Sequence, residues 1–180
     1  MINRREIFNI SNSLSFIRIF FAFPLFYYIS QHQNIVVLVL AVIAYGTDLL
    51  DGFLARRLNQ ITPFGKIIDP LADKICIGAG LIALTLYQNF PLWITAAIIG
   101  RDLILLGGSA VLIASKKNVI SSNKPGKFTV TFIVALGLVF VLNIEWLKLP
   151  LTIAALLMLP YSLVRYAMII YKTVIKPDVT

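Results

Sequence analysis

The sequence is divided into six apolar runs, and each is about as long as a bilayer is thick. A helix that crosses the hydrocarbon core needs roughly 20 mainly apolar residues. The runs cover residues 12–30, 35–58, 66–88, 91–114, 128–145 and 149–172. Hydrophobic residues make up 59% of the chain and charged residues 13%, whereas soluble domains have about 45–50% and 25%. We therefore predict an all-α, polytopic membrane protein with six transmembrane helices.

The length leaves no room for a separate soluble domain beside these runs. We expect residues 1–180 to form a single transmembrane domain. Residues 1–10 combine charged side chains with the apolar Ile2, Ile7 and Phe8 before the first run, which predicts a short amphipathic helix on the membrane surface.

The net charge of +8 is distributed as in a membrane protein rather than a nucleic-acid-binding one. Basic residues lie at the ends of the apolar runs on one side, and the turns on the other side contain almost none. By the positive-inside rule, both termini are expected in the cytoplasm, which requires an even number of spans. We expect a bacterial inner membrane as the location and no nucleic-acid partner.

Four aspartates interrupt the second and third runs at their cytoplasmic ends. Asp48 and Asp51 are three residues apart, and Asp69 and Asp73 are four apart, so each pair lies on one helical face. The short link between the runs predicts that the two helices are antiparallel neighbours with facing acids. Four converging carboxylates repel one another unless cations bind between them. An all-oxygen ligand set favours Mg²⁺ or Mn²⁺, and four aspartates suit two ions.

A structural role is the alternative for these acids, as helix caps or as partners of nearby basic residues. Ionisable groups within membrane segments are, however, functional by default. Gly52 and Ala55 follow on the face of Asp48 and Asp51. Small residues there either let helices pack closely or let a ligand approach the backbone beside the metals. Mg²⁺ commonly completes its shell with substrate phosphates, which favours the ligand.

Residues 48–73 resemble the signature of the CDP-alcohol phosphatidyltransferases, D-x2-D-G-x2-A-R-x8-G-x3-D-x3-D. Every fixed position of the signature is matched at the required spacing, within a predicted helix–loop–helix context. The six predicted spans extend the likeness over nearly the whole chain. The resemblance implies an enzyme that transfers a phosphatidyl group from CDP-diacylglycerol to an alcohol and releases CMP. Members of the family are commonly dimers, so it also implies a homodimer.

The resemblance also implies the roles of the four acids. Asp48, Asp51 and Asp69 would ligate two metal ions, and Asp73 would complete the cluster and act as the general base for the acceptor hydroxyl. The chemistry is consistent, because metal ions polarise a pyrophosphate and a nearby carboxylate can take a hydroxyl proton.

The remaining matched positions would shape the pocket for the CDP group. By the same resemblance these are Gly52, Ala55, Arg56 and Gly65.

The N-terminal segment and the stretch after Asp69 resemble the branch of the family that makes phosphatidylglycerophosphate or cardiolipin. An acceptor that carries a phosphate needs a cationic pocket, and Arg101 and Arg165 lie inside apolar runs. Pairing of Arg101 with the adjacent Asp102 and snorkelling of Arg165 are the alternatives. Lys124 and Lys127 fit a loop segment that borders the acceptor-phosphate pocket in this branch, although Thr129 and Val130 depart from its usual Lys-Thr.

Glycerol 3-phosphate is therefore the expected acceptor, and a cardiolipin synthase that uses phosphatidylglycerol, a second phospholipid, is the alternative. A cation transporter with an aspartate ion site is the alternative from another class. It would place acids near mid-membrane and in two repeated halves, whereas these acids lie on one helix pair. The single cysteine, Cys76, excludes an internal disulfide and a multi-cysteine metal site.

Overall fold

Six α-helices make up nearly all of the structure that we describe. A computed structural model of the chain describes residues 10–57, 65–114 and 124–174. In chain order the helices are α1 (Ile10–Ser30), α2 (Asn34–Arg57), α3 (Gly65–Tyr87), α4 (Leu92–Ala114), α5 (Lys124–Val141) and α6 (Glu145–Val174). No strand occurs within these ranges. The predicted all-α fold class is confirmed for this part of the chain. Of the predicted amphipathic segment 1–10, all but Ile10 lies outside it.

The described helices include two stretches that are long and apolar enough to cross a membrane, Pro70–Tyr87 and Glu145–Met168. Shorter apolar helical stretches are Ser15–Ser30, Asn34–Thr47 and Phe128–Val141. Large apolar side chains such as Phe20 and Phe23 are exposed on the outer helix surfaces. A soluble monomer rarely exposes apolar surface on this scale, so these surfaces fit contact with lipid.

The boundary between the last two helices differs from the prediction. The sequence predicted helices over 128–145 and 149–172, but α5 ends at Val141 and α6 already begins at Glu145. The polar stretch that was predicted to form the turn instead forms the first turns of α6, with Pro150 inside the helix. The left-handed backbone at Asn143, φ 54°, ends the first helix earlier than hydropathy suggests.

Two of the helix connections are closed by the same backbone motif. His32 has a φ of 54°, its N–H donates to the carbonyl of Ile29, and the Gln33 N–H donates to the carbonyl of Tyr28. The equivalent bonds are present at Asn143. This pair of bonds is the Schellman motif, which satisfies the last carbonyls of a helix with a left-handed residue directly after it. Both helices therefore end sharply without a glycine.

The chain divides into two compact units, Met1–Phe90 and Pro91–Thr180. The prediction of a single domain over residues 1–180 stays a prediction. In the N-terminal unit, α1 packs along both α2 and α3. Gly80 allows part of this close approach, since a Cβ there would lie 3.2 Å from Cδ2 of Leu25. The sequence predicted that α2 and α3 pack directly against each other. Within the described residues, the extended packing joins each of them to α1, and their direct contact beside the acids stays a prediction.

The C-terminal unit has the same plan with a different central helix. Here α6 packs against both α4 and α5. Ile94 and Ile98 of α4, Leu136 of α5 and Ala155 of α6 are almost completely buried. Each unit is thus a set of three helices in which one, α1 or α6, contacts the other two.

Candidate active site

The four predicted acids lie on two helices of the N-terminal unit. Asp48 and Asp51 belong to α2, and Asp69 and Asp73 belong to α3. The backbone is helical at all four positions, so the spacings of three and four residues do place each pair on one helical face. The side chains of Asp48, Asp51 and Asp69 lie outside the described part of the structure. Of the four acids, Asp73 is the one whose side chain lies within the described part of the structure.

The Asp73 carboxylate forms an ion pair with Arg18 of α1, in which Nη1 of the guanidinium donates to Oδ1. The Arg18 side chain is 5% exposed, whereas that of Asp73 is 41% exposed. Arg18 therefore reaches the carboxylate from inside the helix packing, and the Asp73 side chain is partly exposed. A charged hydrogen bond of this kind is about twice as strong as a neutral one.

Cys76 lies one turn after Asp73 on α3 and is buried. It faces a narrow cavity among the three helices of the N-terminal unit. The other residues that line it are Phe21, Leu25, Leu40, Ala41 and Ala44. The layer next to Asp73 on this side is therefore apolar, and among the described residues no group of three or more metal-ligating side chains occurs.

The residues predicted to bind the nucleotide lie at the end of α2 and at the start of α3. Gly52, Ala55 and Arg56 belong to the last turns of α2, and Gly65 is the first residue of α3. Their backbone is helical, but their side-chain surroundings lie outside the described part, so the nucleotide role stays a prediction.

Arg101, predicted to bind the acceptor phosphate, lies in a buried polar cluster of the C-terminal unit. Its Nη1 donates to Oδ1 of Asp102 at 2.6 Å, and its Nε donates to Oγ of Ser162 on α6 at 3.0 Å. The Ser162 hydroxyl in turn donates to the carbonyl of Leu159 at 2.8 Å. The pairing of Arg101 with Asp102, one of the two readings of the sequence, is present in the structure.

The other three residues predicted for the acceptor pocket lie on α5 and α6. Arg165 of α6 is exposed. Lys124 and Lys127 form the first turn of α5, and their side chains lie outside the described part. The role of all four residues toward an acceptor phosphate stays a prediction.

Two relationships in this site were not predicted from the sequence. Neither Arg18 nor Ser162 was assigned a role in the site from the sequence. The signal for Arg18 was present, because an arginine inside an apolar run needs a partner. The partner could not be identified, because it lies 55 residues away on another helix.

Comparison with known proteins decides what kind of site this is. The sequence profile of the CDP-alcohol phosphatidyltransferases matches residues 8–173, which is nearly the whole chain. The chain belongs to the CDP-alcohol phosphatidyltransferase family. The predicted family and the predicted enzyme class are therefore confirmed.

Curated relatives of this CDP-alcohol phosphatidyltransferase support the same branch. A CDP-diacylglycerol–glycerol-3-phosphate 3-phosphatidyltransferase of Aquifex aeolicus is 32% identical over 177 residues, which are 93% of this chain and 99% of the relative. A probable phosphatidylglycerophosphate synthase of Mycobacterium tuberculosis is 36% identical over 165 residues, covering 87% and 75%. A probable CMP-forming cardiolipin synthase of Drosophila melanogaster is 36% identical over 110 residues, covering 61% and 34%.

Family membership gives the Arg18–Asp73 pair its context. Asp73 is the last acid of the family signature, and the structure brings it together with a buried arginine from the first helix. Membership also favours the enzyme over the cation transporter as the explanation of the four acids.

Proposed function

We propose that this enzyme transfers the phosphatidyl group of CDP-diacylglycerol to glycerol 3-phosphate, forming phosphatidylglycerophosphate and releasing CMP. The observation that carries the proposal is Asp73, a carboxylate of the complete family signature that stays 41% exposed beside a buried arginine. Two of the relatives with the broadest coverage carry names for this reaction or its product.

The acids suit a divalent cation by their chemistry. Carboxylate oxygens are the ligands of Mg²⁺ and Mn²⁺, and the family is generally divalent-metal dependent. The described carboxylate, Asp73, already pairs with a cationic group and is partly exposed. We infer that Asp48, Asp51, Asp69 and Asp73 hold two such ions. When bound, these ions supply polarisation of the pyrophosphate and stabilise charge on the departing CMP.

Asp73 is also the residue that we assign to proton transfer. A general base has to reach the acceptor hydroxyl within hydrogen-bond distance, and the partial exposure of the Asp73 side chain supports this role. Its Oδ1 is held by Arg18, so the orientation of the carboxylate is fixed before the acceptor arrives. The proton passes from the hydroxyl to the carboxylate as the hydroxyl oxygen attacks the β-phosphorus of CDP-diacylglycerol.

We assign the two substrate pockets to the residues predicted from the sequence. Gly52, Ala55, Arg56 and Gly65 form the nucleotide pocket. In the acceptor pocket the proposal relies chiefly on Lys124, Lys127 and the exposed Arg165. Arg101 contributes positive charge at most, because its Nε and Nη1 are already engaged by Ser162 and Asp102.

The proposed location follows from the chemistry of the donor lipid. We propose that all six helices span the inner membrane of a bacterium, that residues 1–10 lie on its surface, and that the termini and the active site face the cytoplasm. The basic ends of the apolar runs support this orientation. A homodimer of single-domain subunits is the proposed assembly.

A cardiolipin synthase is the second candidate, and the Drosophila relative favours it. That enzyme class differs in its acceptor, which would be phosphatidylglycerol. Both candidates share the donor lipid, the signature and CMP release, so only the acceptor separates them.

The test is CMP release by the purified protein in detergent with CDP-diacylglycerol and Mg²⁺. Glycerol 3-phosphate, phosphatidylglycerol, inositol 1-phosphate and serine are offered in parallel, and mass spectrometry identifies the lipid product. We expect phosphatidylglycerophosphate with glycerol 3-phosphate alone. We also expect chelation by EDTA to abolish release, and Mg²⁺ or Mn²⁺ to restore it.

Two carboxamide variants provide the matched comparison. Asp73→Asn removes the assigned base and is expected to abolish release. Glu145→Gln removes a carboxylate at the start of α6 that is 72% exposed and pairs with Lys148, and it is expected to leave release unchanged. Formation of cardiolipin would identify the enzyme as a cardiolipin synthase, the second candidate. Equal activity of the two variants would contradict the assigned site.

A further inference from the structure

Arg18 is a charged residue at a position where burial of a charge costs free energy. It lies in the middle of α1, in a stretch of apolar helix, and is almost completely buried. Charged groups in such places persist when they pair with one another or serve a function. Removing one member of a buried pair is strongly destabilising, because the other charge is left uncompensated. Arg18 is therefore expected to do something that a packed apolar residue could not.

The geometry connects Arg18 to the acid that we assign to catalysis. Its Nη1 contacts Oδ1 of Asp73, and the pair joins the central helix α1 to the acid-bearing helix α3. The contact is on the inner side of the carboxylate, because Arg18 is buried and Asp73 is partly exposed. Arg18 thus holds Asp73 from within the helix packing of the N-terminal unit.

We propose that Arg18 is a positioning residue that fixes Asp73 and serves as the internal countercharge of the four-carboxylate cluster. The inference rests on the proposed function of Asp48, Asp51, Asp69 and Asp73. It adds that the cluster contains a permanent cation of its own, supplied by the first helix. This cation offsets part of the carboxylate repulsion when no divalent ion is bound.

Such a countercharge changes the affinity of the cluster for divalent cations, whereas an uncharged packed side chain does not. It repels divalent cations, so its removal makes the cluster more negative and strengthens their binding to the substrate-free protein. Removal also releases Asp73 from its fixed orientation, and catalysis then slows even though the cation is held more tightly. Stronger cation binding together with slower turnover is the combination that identifies the role.

The experiment uses the full-length protein in detergent with Mn²⁺ as the probe, and electron paramagnetic resonance measures free Mn²⁺ without substrates. Arg18→Gln removes the charge, and Arg18→Lys keeps it but loses the guanidinium geometry. We expect Arg18→Gln to bind Mn²⁺ roughly tenfold more tightly and Arg18→Lys to bind it like the wild type. We expect kcat to fall about a hundredfold in Arg18→Gln and about tenfold in Arg18→Lys, with the KM for CDP-diacylglycerol little changed.

Arg101→Gln is the matched control, because Arg101 is also buried and also pairs with an aspartate, but in the other unit. We expect it to leave the Mn²⁺ affinity unchanged. Where Arg18→Gln does not fold, the neutral pair Arg18→Gln/Asp73→Asn removes both charges, and Arg18→Lys carries the kinetic part of the test.

Unchanged or weaker Mn²⁺ binding in folded Arg18→Gln would overturn the countercharge. A rise in the KM for CDP-diacylglycerol alone would overturn the positioning role and make Arg18 a substrate contact. Failure of the proposed function would give a result that differs from both of these outcomes. In that case the wild type itself would show no Mn²⁺ binding that depends on Asp73, and no CMP release.

Discussion

The two units of this enzyme each contain a buried arginine that pairs with an aspartate, but the two pairs differ in what they leave accessible. In the N-terminal unit, Arg18 pairs with Asp73, whose side chain is 41% exposed. In the C-terminal unit, Arg101 pairs with Asp102, whose side chain is 11% exposed. The first pair joins two helices, whereas the second pair lies within α4, and Ser162 provides the link to α6.

The comparison teaches that residue types alone do not separate a catalytic acid from a structural one. Both pairs consist of the same two side chains inside apolar helices. Asp102 has little surface to offer to a substrate, so its pair contributes to the packing of α4 and α6. Asp73 is partly exposed, and its helix carries another acid of the signature, Asp69. Accessibility of the carboxylate is the property that separates the two roles.

The largest expected effect is on turnover. Asp73→Asn is expected to lower kcat about 10³-fold, because general-base catalysis contributes typically 10²–10⁴-fold. The Asn side-chain oxygen can still accept a hydrogen bond from Arg18, but buried Arg18 loses its countercharge, so the thermal midpoint is expected to fall, though by less than in Asp102→Ala. The measurements are CMP release and thermal unfolding in detergent. Loss of kcat no greater than in Glu145→Gln would remove Asp73 from the site.

The opposite pattern is expected at the enclosed pair. Asp102→Ala leaves the Arg101 guanidinium buried without its carboxylate, which is expected to cost about 3–5 kcal/mol of stability. Thermal unfolding in detergent measures this loss. The apolar pair Arg101→Met/Asp102→Leu is expected to recover much of it, since a buried ion pair can be replaced by packed apolar residues. An Asp102→Ala protein of wild-type stability would contradict the structural role.

A smaller effect is expected at the link between α4 and α6. Ser162→Ala removes the acceptor of the Arg101 Nε hydrogen bond and is expected to cost about 1–3 kcal/mol. Tyr166→Phe is the comparison, because the Tyr166 hydroxyl donates at 3.2 Å to the carbonyl of Leu105 between the same two helices. It involves no charge and is expected to cost about 1 kcal/mol. Equal melting temperatures would show that the charge of Arg101 adds nothing to this link.

The smallest expected effects are on the melting temperature, and they test how closely α1 packs on α3 in the N-terminal unit. Gly78 and Gly80 lie on the same helix, and Ala is favoured over Gly in helices by up to about 1 kcal/mol. A Cβ at Gly78 meets nothing within 4 Å, whereas one at Gly80 lies 3.2 Å from Leu25. Gly78→Ala is therefore expected to raise the melting temperature, and Gly80→Ala is expected to raise it less or to lower it. Identical shifts would contradict close packing of α1 on α3.

The helices were largely predictable because each corresponds to a long apolar run of the sequence. Each of the six runs became a helix, and most ends agree within a few residues. The exception is the connection between α5 and α6, where the left-handed backbone of Asn143 determines the end of the helix. Hydropathy contains no information about such a backbone conformation.

The site was predictable as a list of residues but not as an arrangement. The signature identifies Asp73 because its spacing is local, and the Arg101–Asp102 pair was anticipated because its members are adjacent. The partner of Arg18 depends on how α1 packs on α3, which no local pattern encodes. The packing predicted between α2 and α3 concerns their ends beside the acids, where the side chains lie outside the described part of the structure, and it stays a prediction.

The apolar layer beside Asp73 also contains the single thiol of the chain, Cys76, enclosed among the helices of the N-terminal unit. A maleimide can reach this sulfur only when these helices separate. The rate of modification of the unaltered protein therefore reports how often the catalytic unit opens, with no second thiol to confuse the signal. The enzyme thus contains an internal probe of helix separation, one helical turn from Asp73, the acid that we assign to proton transfer.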